Sequence, residues 1–262
     1  MRNTKIALIT AILAIFGFYG INANASTVGL WLFDEGTGNT VWDSSVNNNN
    51  GTIYGGATWS TDTPFSYTGN YALSFDGSDD YIEISHSHSL NLTNAFTFEA
   101  WVKLTSKGYR YIGDKYHTYG LKIQDNKLYP LGFVKVGGKI YEVQSSDEIT
   151  LGTWVHLATT YDGKVLKIYV NSNCKGTNEY PNGNINSSQD DLFIGRYGET
   201  WDGRSYFFHG LIDEVRISDE ALSPEQLGCH KSLAVIPEPT SLSLLTIGLL
   251  GLLRKYSRRK SA

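Results

Sequence analysis

Hydrophobic and polar residues alternate along most of the chain, in short segments that glycine, asparagine and aspartate interrupt. Residues 96–104 read Phe-Thr-Phe-Glu-Ala-Trp-Val-Lys-Leu, with an apolar side chain at every second position. This period of two is typical of a strand with one face in the core and the other partly in water. No long stretch has a helical period, so the pattern predicts an all-β body. Further strands are predicted at 28–33, 71–75, 81–84, 119–123, 154–161, 166–170, 192–195 and 208–217.

Turn residues support this prediction. Asp162-Gly163 lies between two strand-like segments and predicts a hairpin. Ser223-Pro224-Glu225-Gln226 has a capping serine and a proline at the first helical position, which predicts at most one helical turn. The body therefore consists of strands and turns.

The N-terminus has the pattern of a secretory signal peptide. Arg2 and Lys5 precede an apolar run over 6–21, and Ala23-Asn24-Ala25 provides small residues at a cleavage site. We predict a signal peptide over 1–25 and a mature chain from Ser26. An uncleaved membrane anchor is the alternative interpretation.

The C-terminus carries a second sorting pattern. Pro237-Glu238-Pro239 precedes a short apolar stretch over 242–253 and then a basic cluster. The apolar stretch over 242–253 is shorter than the ~20 residues that a spanning helix normally needs. The basic cluster after it favours a cytoplasmic location for the C-terminal end. The body would then lie outside the cytoplasmic membrane.

Charge limits the partners of the body. The chain has a net charge of −4, and seven of its basic residues lie in the two terminal segments, so the body is more acidic than the whole. Nucleic acid binding needs a basic surface, and we therefore predict no nucleic acid partner.

The C-terminal pattern resembles the PEP-CTERM sorting signal of Gram-negative bacteria that secrete exopolysaccharide. The triplet Pro237-Glu238-Pro239, the short helix with glycine and the basic cluster occur in the order of that signal. The resemblance implies recognition by an exosortase-type membrane protease, cleavage near the triplet and delivery to the cell surface or extracellular matrix. A permanent C-terminal anchor is the alternative.

The body resembles the LamG-like domains of the concanavalin A-like lectin and glucanase superfamily over nearly all of 28–227. Five blocks carry the resemblance, at 29–38, 73–82, 96–102, 154–163 and 210–217. The family fold is a jelly-roll sandwich of two antiparallel sheets, in agreement with the strand pattern. The fold hosts lectins, adhesive domains and glucanases, so function has to come from sites.

A catalytic carboxylate pair is not evident. The related glucanases carry Glu-x-Asp-x-x-Glu on one strand, but Leu211 and Arg216 occupy the two glutamate positions here. Strict alternation would place Asp213 and Glu214 on opposite faces, so they are not expected to act as a pair. We predict that the protein is not an enzyme.

Two sets of residues are candidate metal ligands. In relatives of this fold a structural calcium is held at positions that match Asp213, Gly77 and, less closely, Asp34. The resemblance therefore implies one structural Ca²⁺, with a turn cap or a pairing with Arg216 as the alternative role of Asp213. His86 and His88 could share a strand face and bind a metal, or be solvated loop residues.

Aromatic residues in two loop segments suggest a carbohydrate site. Sugars stack on aromatic faces and hydrogen-bond to polar groups, and both segments lie at strand ends. Packing within the fold is the alternative role of these residues. The candidate ligand-binding residues are Tyr116 and His117 in the first segment, and Tyr197, Trp201 and Asp202 in the second.

Export permits disulfides, and the chain has two cysteines, Cys174 and Cys229. We predict that they pair, or else remain as free or intermolecular thiols.

The sequence thus predicts a signal peptide (1–25), a LamG-like jelly-roll domain (26–233) and a PEP-CTERM segment with a short transmembrane helix (234–262). The expected function is non-catalytic binding of exopolysaccharide or another glycan at the cell surface or in the matrix. A structural or adhesive matrix protein with protein partners is the alternative, and a glycoside hydrolase ranks third.

Overall fold

The computed structural model describes residues 27–124, 127–198 and 206–228 of the 262-residue chain. The predicted signal peptide and the sorting segment lie outside the described residues. Within the described ranges, no helix is long and apolar enough to cross a membrane.

Sixteen β-strands and two 3₁₀ helices, at His88–Leu90 and Pro224–Gln226, lie in the described ranges. The strands are β1 (Thr27–Trp31), β2 (Thr40–Val41), β3 (Gly51–Tyr54), β4 (Thr58–Ser60), β5 (Ala72–Asp76), β6 (Tyr81–Ile84), β7 (Phe96–Leu104), β8 (Arg110–Asp114), β9 (Tyr119–Ile123), β10 (Pro130–Val136), β11 (Lys139–Gln144), β12 (Val155–Tyr161), β13 (Leu166–Val170), β14 (Asn173–Asn178), β15 (Leu192–Ile194) and β16 (His209–Ser218).

The strands form two eight-stranded antiparallel sheets. Sheet A has the order β14-β13-β12-β7-β16-β5-β4, and β1 also pairs with β16. Sheet B has the order β11-β10-β9-β8-β15-β6-β3-β2. The prediction of an all-β, two-sheet antiparallel fold is therefore confirmed.

The hydrophobic core lies between the two sheets. On β7, the residues Phe96, Phe98, Ala100, Val102 and Leu104 are at most 1% exposed, as their alternation predicts. They pack with apolar side chains from strands of both sheets. The period-two pattern thus identifies the core face of the central strand.

The opposite face of β7 is drier than predicted. Trp101 and Lys103 are partly exposed, but Thr97 and Glu99 are fully buried. The expectation of a partly wet face is wrong at these two positions because a distant part of the chain covers them. That covering segment is described below.

The predicted turns form. β12 and β13 make a hairpin in which Tyr161 pairs with Leu166, and Gly163 adopts the left-handed φ of 91° that the turn requires. Oδ1 of Asp162 accepts hydrogen bonds from the amides of Lys164 and Val165 at 2.9 and 2.8 Å. The predicted helical turn is the 3₁₀ helix at Pro224–Gln226, with a capping box.

Candidate functional site

Chain segments cover the outer face of sheet A on two sides. The loop between β4 and β5 lies over one side, where the Phe65 and Trp101 rings meet edge to face at 5.2 Å. Nε1 of Trp154 donates to Oδ1 of Asp62 at 2.9 Å, and Nζ of Lys103 lies 2.5 Å from Oδ2 of Asp62. These tryptophans belong to the scaffold.

Residues 219–228, which we call the clasp, cover the other side of sheet A. The amide of Gly228 donates to Oε2 of Glu99 at 2.8 Å, and Nη2 of Arg216 donates to the carbonyl of Gln226 at 2.7 Å. Leu222 and Leu227 pack on Ala158 and Tyr169. The clasp explains the burial of Glu99 and Thr97.

A buried charged group lies under the clasp. The Glu99 carboxylate is fully buried and pairs with the guanidinium of Arg216 through both Nε and Nη2. Nε2 of His156 lies 2.8 Å from Oε2 of Glu99. Removing one partner of such a group would leave a buried charge uncompensated, so the group fastens the clasp to the sheet.

The outer face of sheet B presents aromatic rings. Ring centroids in a group that we call the tyrosine cluster lie 4.7 to 6.3 Å apart. Tyr109 and Tyr206 are partly exposed, whereas the other three members are buried beneath them. The members are Tyr109, Tyr111, Phe133, Tyr197 and Tyr206.

A lysine lies within the tyrosine cluster. Nζ of Lys122 is 5.1 Å from the Tyr109 ring centroid and 5.4 Å from that of Tyr111, and it donates to Oε1 of Glu142 at 2.6 Å. Burial opposes the charge of Lys122, but Tyr109 and Glu142 outweigh it and raise the pKa of the ammonium. The cluster therefore holds a charged lysine against aromatic faces.

Three of the predicted ligand residues meet at one edge of this cluster. The Tyr197 hydroxyl lies 2.7 Å from Nε2 of His117, and their rings are 4.7 Å apart. The rings of Tyr116 and His117 are 5.2 Å apart. Tyr116 and His117 are partly exposed, while Tyr197 is buried and supports the imidazole from below. Trp201 and Asp202 lie outside the described residues.

Asp114 fixes the two segments that converge here. Its Oδ1 accepts the amide of His117 at 2.8 Å, and its Oδ2 accepts the amide of Gly198 at 3.0 Å. The side chain is fully buried, and burial raises the pKa of its carboxyl. Tyr116 and His117 have positive φ values of 32° and 59°, so the backbone at this turn is strained.

Sequence reasoning missed the strand residues of this site. It searched the loops, whereas Lys122, Phe133 and Glu142 come from the middle of β9, β10 and β11. The three strands are neighbours in sheet B. Phe133 on β10 pairs with Gly120 on β9 on one side and with Glu142 on β11 on the other. Only Lys122 lies on a strand that the sequence pattern predicts, at 119–123, because β10 and β11 were not predicted.

Asp213, one of the expected ligands of the structural calcium, lies in β16 next to Glu214. Asp213 and Glu214 are fully buried. The pKa of Asp213 is raised to about 9. Burial is the largest cause, and the charges of Glu214 and Asp34 add to it. Oδ2 of Asp213 is buried and makes no hydrogen bond with the described part of the chain. A hard cation with oxygen ligands fits a buried, unsatisfied carboxylate oxygen among like charges.

A bulge in β16 lies at these two carboxylates. The pairing of β16 with β7 shifts register between Asp213 and Arg216, and Glu214 has a positive φ of 47°. Strict alternation, on which the expected separation of Asp213 from Glu214 depends, is therefore interrupted here. The bulge breaks the period of two locally.

The structure does not bring Gly77 to this group. Asp76, the neighbour of Gly77, pairs with His209, and Asp213 lies four residues further along β16. At the rise of a strand this separation is about 13 Å, too far for one ion. Gly77 instead lies in the turn after β5, where its φ is 82°. It leaves the predicted ligand set, which retains Asp34 and Asp213.

Two other possible metal groups have structural explanations. Asp76, Asp79 and Asp80 have ligand atoms within 4.8 Å, but Asp80 accepts the amide of Asp76 at 2.7 Å and Asp76 that of Ser78 at 2.7 Å. These are turn contacts of the kind that aspartates commonly make.

The predicted histidine pair does not form a common strand face. β6 ends at Ile84, and His88 begins a 3₁₀ helix. Nδ1 of His86 lies 3.3 Å from Nζ of Lys115, which is buried. The alternative of separate loop histidines agrees with this geometry.

Cys174 lies in β14, is exposed, and places its Sγ 3.5 Å from the carbonyl oxygen of Gly176. Cys229, its predicted partner, and the sorting triplet Pro237, Glu238 and Pro239 lie outside the described residues. The disulfide therefore stays a prediction.

Solved structures share this fold. The fourth domain of AbnA, a GH43 extracellular arabinanase from Geobacillus stearothermophilus in complex with arabinotriose, is 22% identical with a TM-score of 0.61, and the match covers 77% of this chain and 96% of that one. The binding domain of Paraclostridial Mosquitocidal Protein 1 is 15% identical, with a TM-score of 0.60 and coverage of 77% and 50%. The botulinum neurotoxin serotype G binding domain is 14% identical, with a TM-score of 0.59 and coverage of 79% and 50%. The chain thus spans about half the length of the toxin chains.

Family models match two parts of the chain, while no curated protein matches it significantly. Residues 235–260 match the PEP-CTERM protein-sorting motif, which indicates export and sorting to the cell surface or extracellular space. Residues 76–228, more than half of the chain, match the Laminin_G_3 model. The chain belongs to the concanavalin A-like lectin/glucanases superfamily and carries a PEP-CTERM sorting motif.

Proposed function

We propose that the protein is an exported, non-catalytic carbohydrate-binding protein and that the outer face of sheet B holds the glycan. The half-exposed rings of Tyr109, Tyr116 and Tyr206, together with the imidazole of His117, would contact the sugar. Tyr197 acts from below by holding His117. Trp201 and Asp202 remain proposed ligand contacts on the segment that follows.

One observation carries the proposal: two aromatic segments far apart in sequence converge on the tyrosine cluster. Tyr111 and Tyr197 have ring centroids 4.7 Å apart, and Asp114 binds the backbone of both segments. Aromatic faces beside a charged lysine and a carboxylate provide both stacking and hydrogen bonding, the two contacts that sugars use. Chain segments cover the outer face of sheet A on two sides in the described ranges.

The structural comparison supports the ligand class. The arabinanase domain that shares this fold was solved with arabinotriose. Sheet B of the present chain would bind a glycan of the exopolysaccharide or of another polymer at the cell surface.

A structural Ca²⁺ forms part of the proposal. Asp34, Asp213 and Glu214 would hold it, and its charge would neutralise carboxylates that burial and mutual repulsion otherwise disfavour. Asp34 follows β1 and the other two lie in β16, so the ion would tie the first strand's loop to the last strand. Its role would be stability of the sandwich.

We further propose the route by which the protein reaches its site of action. A signal peptide over 1–25 exports the chain of a Gram-negative bacterium, and the domain spans 26–233. The segment 234–262 anchors it in the membrane through a short helix until an exosortase-type protease cleaves near Pro237.

The test is glycan-array binding by the purified protein, measured with Ca²⁺ and with EGTA. We expect selective retention of a polysaccharide class. Replacing Tyr109 and Tyr206 together by alanine should lower the affinity about tenfold, from the loss of two stacking contacts.

The matched control is Trp42→Ala, because Trp42 is an exposed aromatic residue (58%) beside β2, at the far edge of sheet B. It should bind as the wild type does. Absence of any glycan binding by a folded sample would reject the proposal in favour of an adhesive matrix protein with protein partners. Product release from a polysaccharide would instead establish a hydrolase.

A further inference from the structure

A groove of about 740 Å³ lies where the two sheets meet at their edges, between β11 and β14. It is separate from the proposed cation site and from the rings of the tyrosine cluster. The polar and aromatic side chains that line it include Glu142, Gln144, Asn178, Glu179 and Tyr180.

Hydrogen bonds hold the two walls of the groove together. Nδ2 of Asn178 donates to the carbonyl oxygen of Glu142 at 2.7 Å. The amide of Ser146 donates to the carbonyl oxygen of Lys175, also at 2.7 Å. A Cβ added to Gly176 would lie 2.3 Å from the carbonyl oxygen of Gln144, so only glycine permits this close approach of β14 to β11. The groove is therefore preformed, as binding sites usually are.

Tyr180 offers an open aromatic ring in this groove. Its side chain is 85% exposed, which makes it one of the most exposed large hydrophobic residues in the described chain. The backbone beneath it is fixed, because its amide donates to Oδ1 of Asn178 at 3.0 Å. A tyrosine held in this way has the apolar face and the polar tip that stacking against a sugar requires.

Glu142 links the groove to the tyrosine cluster. Its carboxylate accepts the hydrogen bond from Lys122, and the same residue lines the groove. The backbone of Tyr111 on β8 is three strand spacings, about 14 Å, from that of β11, and the groove lies beyond β11, although Lys122 bridges the side chains of Tyr111 and Glu142. A single terminal sugar does not cover this distance, whereas an extended chain of several sugars does.

The charge of the groove restricts the ligand. Of the described residues that line it, Glu142 and Glu179 are acidic and none is basic. Glu142 is already paired with Lys122, so an anionic polymer would meet the like charge of Glu179, which disfavours it. Hydroxyl groups of a neutral glycan can instead donate hydrogen bonds to these carboxylates.

We propose that the β11–β14 groove is a second glycan subsite, with Tyr180 as its stacking platform, and that the domain binds an extended neutral polysaccharide running across sheet B. This inference rests on the proposed function of the tyrosine cluster. It adds the ligand's charge, its minimum length and its direction relative to the strands.

The experiment measures affinity for neutral arabinan- and glucan-derived oligosaccharides of increasing length, from disaccharides upward, by calorimetry. Uronic-acid oligosaccharides of matched length form the second arm. The wild type should bind long neutral chains more tightly than short ones, and the anionic series weakly at every length. In Tyr180→Ala the affinity for long chains should fall about three- to tenfold, while that for short chains stays unchanged.

The variants separate this inference from the proposed function. Trp42→Ala should leave every affinity as it is, and the Tyr109→Ala, Tyr206→Ala double variant should weaken binding at all lengths. If long and short chains bind equally and Tyr180→Ala changes neither, the second subsite is refuted and the cluster remains the site. If the wild type binds no oligosaccharide, both fail. Preference for the anionic series would overturn the charge argument.

Discussion

Removal of calcium should lower the stability of the domain through the carboxylates around Asp213. Without a cation, burial beside Glu214 and Asp34 raises the pKa of Asp213 to about 9, and Oδ2 of Asp213 is buried without a hydrogen bond to the described part of the chain. A ligand that binds only the folded state stabilises it by about 2.7 kcal/mol when present at a hundredfold excess over its Kd.

That free energy corresponds to a measurable shift in melting temperature. For a domain of this size, 1 kcal/mol shifts the Tm by about 2–4 °C. We therefore expect EGTA to lower the Tm of the wild type by about 5–10 °C, and added Ca²⁺ to restore it. Differential scanning calorimetry measures the shift, and isothermal titration gives the stoichiometry.

Asp213→Asn tests whether this carboxylate carries the effect. The amide keeps the shape of the side chain and is neutral, as the Asp213 carboxyl with its pKa of about 9 is at pH 7 when no ion is bound. The variant in EGTA should therefore be at least as stable as the wild type in EGTA, and its calcium response should disappear. This combination distinguishes loss of a ligand from general damage to the fold, which would lower the Tm under both conditions.

Asp79→Asn is the matched control, since it removes a carboxylate from the other acidic group, in the turn after β5. Its calcium response should equal that of the wild type. A full calcium response in Asp213→Asn would refute the reasoning about β16. Loss of the response in Asp79→Asn would transfer the ion to the Asp76, Asp79 and Asp80 turn.

Two further predictions concern buried carboxylates elsewhere. Glu99→Ala should destabilise the domain by about 3–5 kcal/mol, because it leaves the Arg216 guanidinium buried without its partner; urea unfolding measures this, and a loss below about 1 kcal/mol would show that the clasp does not depend on Glu99. Asp114→Ala removes the acceptor of two backbone amides, at a cost of about 1–3 kcal/mol; hydrogen exchange should speed up at His117 and Gly198 and glycan affinity should fall, whereas unchanged exchange at both amides would contradict a positioning role.

The alternation of apolar residues was sufficient to predict the core, but it could not predict what covers the outer faces. β7 shows both sides of this: Phe98 is buried as its position in the pattern requires, and Glu99 is buried because residues more than 100 positions later fold over it. The alternation of residues along a strand predicts which face of the sheet a side chain lies on. It does not predict which distant segment of the chain covers that face.

The residue types of the candidate site were predictable from the sequence, but their convergence was not. Tyr116 and His117 follow β8, and Tyr197 follows β15. Because these neighbouring strands are antiparallel, the two loops leave at opposite ends, and Asp114 joins them by accepting the amides of His117 and Gly198. Lys122 and Glu142 were not predictable in the same way, because a charged residue in the middle of a strand is usually on a solvated face. Only the register across β9, β10 and β11 shows that the two charges meet.

At the proposed cation site, neither the resemblance nor the alternation of the strand predicted the position of every residue correctly. Carrying ligands over by resemblance placed Gly77 beside Asp213, although the register of β5 with β16 holds them about 13 Å apart. Conversely, alternation separated Asp213 from Glu214, although a bulge in β16 interrupts the alternation at these two residues. Bulges concentrate where a strand has to redirect a side chain, and this one lies at the two carboxylates of β16.

The order of the clasp and the sorting motif along the chain has a consequence for processing. The last contact of the clasp is made by Gly228, and the matched sorting motif begins at residue 235. The buried group of Glu99 and Arg216, and every described strand, therefore precede the expected cleavage point near Pro237. Cleavage there removes none of the contacts described above within residues 27–228. The released domain should accordingly keep the melting temperature of the uncleaved chain, and a lower Tm after cleavage would mean that residues beyond Gly228 stabilise the sandwich.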